Sequence, residues 1–156
     1  MLDGQEAAGI ARIRRALEDP AEGEHAPGMH TMVARMLLEA CAAVGDARTG
    51  LVAADRVLGL DDNVRTWESE ARRRRGEFLA ALGDDGEAEL RRALEVARRQ
   101  GARLFELRAA ASLLRRRLDG GQDRPALAAL AAVVEALPEG RDTPDLREAL
   151  DLLARS

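Results

Sequence analysis

Residues 38–58 read LEACAAVGDARTGLVAADRVL, two apolar runs hinged on the dipeptide Gly45-Asp46. Before the hinge, Met32, Val33, Met36, Leu37 and Ala40 recur at helical spacing; after it, Leu51, Ala54 and Val57 do the same. The stretch therefore reads helix–turn–helix. A Gly-polar hinge returns at Gly83-Asp84 and again at Gly121-Gln122, 38 residues apart each time. A repeat period between about 20 and 50 residues marks a solenoid, in which no unit buries its apolar face alone. The fold expected is all-α, a single repeat domain spanning residues 1–156.

Working outward, Ile10, Ile13 and Leu17 place a first helix over residues 5–18, stopped by Asp19-Pro20. A polar loop runs to Pro27-Gly28, and the second helix covers 29–44. The third ends near Leu58, and a fourth is expected from Val64 to Leu82. The fifth spans 87–100 with Gly101 as its C-terminal cap, the sixth 102–119 and the seventh about 124–137, with Pro125 in its first turn. Thr143-Pro144-Asp145 opens a capping helix over 144–155: Thr as N-cap, Pro at the first position and an acid on the positive dipole end. No segment alternates with period two, so about eight helices and no strands are expected.

Composition agrees. Hydrophobic residues make up 46% and aromatics only 2%, so the core must be Leu, Ala and Val between closely packed helices. Charged residues reach 33% with a net charge of −4, and every Lys or Arg is Arg. That balance argues against a general polyanion binder, so no nucleic-acid partner is expected. No stretch approaches the roughly 20 apolar residues of a membrane span, and the N-terminus has no export signal. With the single Cys41, this points to a cytoplasmic protein without a membrane partner. Glu68/Arg72, Glu70/Arg74, Glu87/Arg91 and Glu95/Arg99 are acid-before-base pairs that support helices at about 0.2–0.5 kcal/mol each.

Small or apolar residues recur at fixed offsets from the turn glycines. Five after come Gly50, Ala88 and Ala126; seven before come Leu38, Gly76 and Leu114. Twelve after come Val57 and Val133, with Ala93 in that role if the middle repeat is two residues short. This resembles the tetratricopeptide pattern, in which small residues let the two helices of a unit approach. Gly76 fits best, since a helix-interior glycine costs about 1 kcal/mol against alanine and needs a packing reason. The stretches Leu90 to Ala97 (LRRALEVA), Arg98-Arg99-Gln100-Gly101-Ala102-Arg103, Glu106 to Ala110 and Glu139 to Ala149 resemble more closely a particular group. They are similar to the C-terminal tetratricopeptide-type region of large bacterial signalling ATPases, which often carry a cyclase or winged-helix domain. The resemblance implies a right-handed superhelix of antiparallel helix pairs. It brings no catalytic activity, since no G-x-x-x-x-G-K-[ST] occurs.

Carried upstream, the offsets match Gly9 and Ala16 to Gly50 and Val57 and make Gly4-Gln5 a further turn. The sequence would then open inside a repeat. Ile10, Ile13 and Leu17 would form an open-end interface, covered by preceding residues, a second copy of the chain or another protein.

By the resemblance, the first helix of each unit lines a concave groove. Its exposed positions would be Met32, Arg35 and Glu39, then Glu70, Arg73 and Glu77, then Arg108 and Arg115. An Arg35–Arg73–Arg108 ladder can clamp an acidic peptide through guanidinium forks. Equally, Arg35/Glu39 and Arg73/Glu77 can neutralise each other on a solvated face. Arg72 to Arg75 point around more than one helical turn and form no single stripe. His25 and His30 lack further ligands at metal spacing, Cys41 falls where a core side chain belongs, and Ser112 and Thr66 have no activating partner. Neither a catalytic residue, a metal nor a cofactor is expected. The function expected is protein or peptide binding in a bacterial signalling or regulatory system. Small-ligand sensing and homo-oligomeric scaffolding are the alternatives.

Overall fold

The computed structural model describes residues 4–18, 27–59, 66–118, 124–137, 139 and 142–155. Gly121, His25, and the side chains of Leu17 and His30 lie outside the described residues, as do Val64 and Arg65. Eight helices are described: α1 (Gly4–Glu18), α2 (Pro27–Val44), α3 (Ala47–Gly59), α4 (Glu68–Ala81), α5 (Glu87–Gln100), α6 (Arg103–Leu118), α7 (Arg124–Glu135) and α8 (Pro144–Ala154). No strand occurs among the described residues, so the chain is all-α. Gly4 and Gln5, expected as a turn, are the first two residues of α1.

The turns share one closing device. Gly45, Gly83 and Gly101 have φ of 74°, 88° and 65°, the left-handed conformation that glycine adopts without a Cβ penalty. After each, the next amide reaches back to a carbonyl of the preceding helix: Asp46 to Cys41, Asp84 to Leu79 and Ala102 to Ala97, at 2.9–3.0 Å. This pattern satisfies carbonyls that a helix end leaves bare. Asp46 then caps α3, its Oδ1 accepting the Thr49 amide at 3.1 Å.

Two boundaries moved. Thr66 and Trp67, expected inside the fourth helix, form a short 3₁₀ turn, and α4 begins at Glu68. α5 starts four residues after its turn glycine, whereas α3 starts two after. The close-approach position moves the other way, toward the turn. Ala88, five after Gly83, is exposed, and Gly86 takes the buried place. A Cβ on Gly86 would sit 2.0 Å from the Gly76 carbonyl oxygen, and one on Gly76 would sit 2.8 Å from the Gly86 oxygen. Backbone therefore meets backbone where α4 and α5 cross, which is the packing reason for the glycine inside α4.

Each helix packs on its sequence neighbour, and α2 also touches α4, α4 touches α6, and α6 touches α8. The core falls into two apolar clusters. One joins α2, α3 and α4 through Leu37, Leu38, Cys41, Ala53, Ala54, Val57 and Phe78. The other joins α5 to α8 through Leu90, Leu107, Leu114, Leu130, Val133 and Leu146. Burying each Leu contributes about 1.5–3 kcal/mol. The α4–α5 seam between the clusters is different: besides the glycine crossing, the buried Ser69 hydroxyl donates to the Ala93 carbonyl at 2.9 Å.

Candidate functional site: a charged groove shared by four helices

Helix α4 buries Glu70 and Arg73 beside Ala71 and Phe78, so its inward face is partly ionic. A buried charge must be paired or it costs several kcal/mol. Arg73 is paired twice. Its Nε and Nη2 grip the Glu70 carboxylate at 2.9 and 2.5 Å, and Nη1 donates to Glu77 Oε1 at 2.7 Å. The Ser112 hydroxyl of α6 donates to the same Glu77 oxygen at 2.7 Å and accepts from Arg73 Nη1 at 3.3 Å.

The chain of charges runs outward from there. Toward α8, Arg108 of α6 makes a two-pronged bond to Asp145, at 2.7 and 3.0 Å, and stands 3.7 Å from Glu70. Toward α2, Arg74 reaches Glu39 at 2.6 Å and Glu77 at 3.1 Å. Arg115 of α6 links Glu77 at 3.5 Å to Glu148 of α8. All of these except Glu70, together with Ala111, line an open cavity of about 350 Å³.

The electrostatics favour the charged forms of Arg73, Glu77, Arg108 and Asp145. Burial works against the Arg73 cation, yet the Glu70 bond and the charges of Glu70, Glu77 and Glu39 outweigh it and raise its pKa. Burial likewise pushes the Glu77 carboxyl up, but Arg73, the Ser112 hydroxyl, Arg74 and Arg115 together hold it below its ordinary value. Arg108 and Asp145 stabilise each other through their hydrogen bonds, raising the one and lowering the other.

The expected groove positions therefore divide. Glu39, Arg73, Glu77, Arg108 and Arg115 line the cavity, and Glu70 backs it through Arg73 and Arg108. Arg73 pairs with Glu77 as the self-neutralising alternative holds, but Glu39 receives Arg74. Arg35 stacks on the Trp67 ring, its Cζ 4.2 Å from the centroid, and Trp67 lies 5.4 Å from the Phe105 ring. Met32 is exposed on α2. Ile10 and Ile13 are half-buried against the α2–α4 cluster, while Glu6, Arg12, Arg14 and Arg15 are the exposed side of α1.

The sequence reading missed Asp145 and Glu148, taken only as parts of a capping helix. Their signal was present: they are three apart on one helical face, bordering the buried Ala149 and Leu152. Arg72 to Arg75 fan out, Arg72 to Glu68 and Glu89, Arg75 to Asp55 and Glu89, and the middle two into the groove. Among the described residues no three His, Cys, Asp or Glu are grouped to hold a metal, and no helix is long and apolar enough to cross a membrane. No family model, curated protein or solved structure matches the chain.

Proposed function

We propose that this chain is a non-enzymatic interaction module, a right-handed superhelix of tetratricopeptide type that holds a peptide segment of a protein partner in its groove. The observation that carries the reading is the convergence of α2, α4, α6 and α8 on one charged cavity. The 38-residue interval and the left-handed glycine with the same back-bonded amide at Gly45 and Gly83 support the repeat architecture. Recognition is favoured over proton transfer because Glu77 and Asp145 are held below, and Arg73 and Arg108 above, their ordinary values. A general acid or base works best near the ambient pH, and these groups are tuned away from it. The resemblance adds the setting, a bacterial signalling or regulatory system.

Small-ligand sensing draws support from the cavity volume, within the roughly 300–1,000 Å³ of ligand pockets. Its lining counts against that reading: such pockets are mostly apolar, and here Ala111 is the one apolar residue among the described residues that line the cavity. A peptide partner fits better. Selection from a random peptide library, followed by affinity measurement, tests it. Arg115→Glu should change the affinity of the selected peptides about fivefold or more, weakening acidic ones and strengthening basic ones, while Arg92→Glu on α5 leaves them unchanged. Peptides that ignore Arg115→Glu and respond to Arg92→Glu would place the binding surface elsewhere.

A further inference from the structure

The groove's hydrogen-bonding capacity is unevenly spent. Each guanidinium meets two or three carboxylates: Arg73 meets Glu70 and Glu77, Arg74 meets Glu39, Glu70 and Glu77, Arg108 meets Asp145 and Glu70, and Arg115 meets Glu77 and Glu148. At the mouth the balance reverses. Glu39 and Glu148, on opposite walls, are 45% and 51% exposed and meet one guanidinium each among the described residues. A carboxylate has about four acceptor sites, so each retains room for a further donor. Arg115, 45% exposed, keeps N–H donors of its own, but five acids (Glu39, Glu70, Glu77, Asp145, Glu148) face four guanidiniums (Arg73, Arg74, Arg108, Arg115), so an incoming cation meets the excess charge it complements.

A second feature adjoins the first. Met32 and Met36 share the α2 face that ends in Glu39, and Leu104 shares the α6 face that carries Arg108 and Arg115. All three are about half exposed, at 46%, 51% and 48%. Trp67, against Arg35 of α2 and Phe105 of α6, spans the space between those helices. Flexible methionines suit an apolar surface that receives another chain.

Resting on the groove reading, we infer that the partner segment is cationic, not acidic. It carries apolar side chains onto the Met32–Met36–Leu104 shelf and Arg or Lys side chains between Glu39 and Glu148. The guanidinium ladder is internal scaffolding that sets the two acids at their places.

Two peptide libraries with the same apolar positions test this, one with fixed Arg and Lys, the other with fixed Asp and Glu. The basic library is expected to bind, with affinity falling as salt rises. Glu39→Gln/Glu148→Gln should weaken it about five- to tenfold at unchanged melting temperature, both side chains being exposed. Comparing the salt dependence of the two libraries on the unaltered protein gives the charge sign without any variant, since salt weakens binding of the attracted library. Preferential binding of the acidic library, lost on Arg115→Gln, would overturn the cationic assignment and leave the groove reading standing. Binding of neither library, or binding indifferent to both variants, would overturn the groove reading itself.

Discussion

Replacing Gly86 by alanine probes the α4–α5 crossing that joins the two apolar clusters. The new Cβ would stand 2.0 Å from the Gly76 carbonyl oxygen and 2.8 Å from its carbonyl carbon. An ordinary Cβ–oxygen contact needs about 3.2 Å, so the helices must part by roughly 1 Å, with backbone on both sides and no side chain to turn away. Gly86 has φ of −90°, so alanine suffers no backbone strain and gains about 0.4–1 kcal/mol from the unfolded chain. Against that gain stands an overpacking cost of about 1–3 kcal/mol or more. The net expectation is destabilisation by about 1–2 kcal/mol. Urea unfolding followed by far-ultraviolet circular dichroism should show a lower midpoint at unchanged slope. Gly9→Ala is the control: nothing lies within 4 Å of its Cβ, and the substitution should stabilise α1 by about 0.5–1 kcal/mol. If Gly86→Ala matches or exceeds the unaltered protein, α4 and α5 do not approach as described.

Arg73→Met would leave the 3%-exposed Glu70 side chain beside an uncharged neighbour and should cost about 3–5 kcal/mol in the same assay. Glu70→Gln/Arg73→Met should cost clearly less than the two single losses together, because the pair is coupled. Acid should also report the network. Asp145 and Glu77 have lowered pKa values, so their stabilising charge is fully present above the unfolded-state values and lost as pH falls through the folded ones. Melting temperature should therefore drop below about pH 4, less steeply in Asp145→Asn; identical profiles would contradict the Arg108–Asp145 bond. Burial, aided by Asp46, pushes the Cys41 thiol to about 11, leaving roughly a thousandth ionised at pH 8. A thiol reagent should modify it in urea far faster than in native buffer, and rapid native labelling would mean α2 packs loosely.

Helix ends were legible wherever the chain carries its own punctuation. Gly45, Gly83, Gly101 and Pro144 act within a turn of their own positions, so one sequence suffices to read them. Three of the four acid–base pairs spaced for one helix formed, at Glu68/Arg72, Glu70/Arg74 and Glu87/Arg91. The fourth did not persist: Glu95 pairs with Arg92, and Arg99 stretches to Glu68 on α4. Lateral pairing is what the sequence left open. Arg74, not Arg35, meets Glu39, a choice made by the separation and rotation of α2 and α4. Asp145 looked like a dipole partner because its guanidinium lies 37 positions away on α6. The two-residue slip to Gly86 was half legible, since the short middle repeat marked it but not which small residue would take the place.

The most direct test of the groove as binding surface is a titration of the isotope-labelled chain with a peptide retained from the basic library. Amide shifts in the nitrogen–proton spectrum identify the helices that respond. The account predicts that perturbations gather at Met36, Glu39, Arg74, Glu77, Ser112, Arg115 and Glu148, on α2, α4, α6 and α8. Perturbations gathered on α1, or on the exposed faces of α3, α5 and α7, would contradict it.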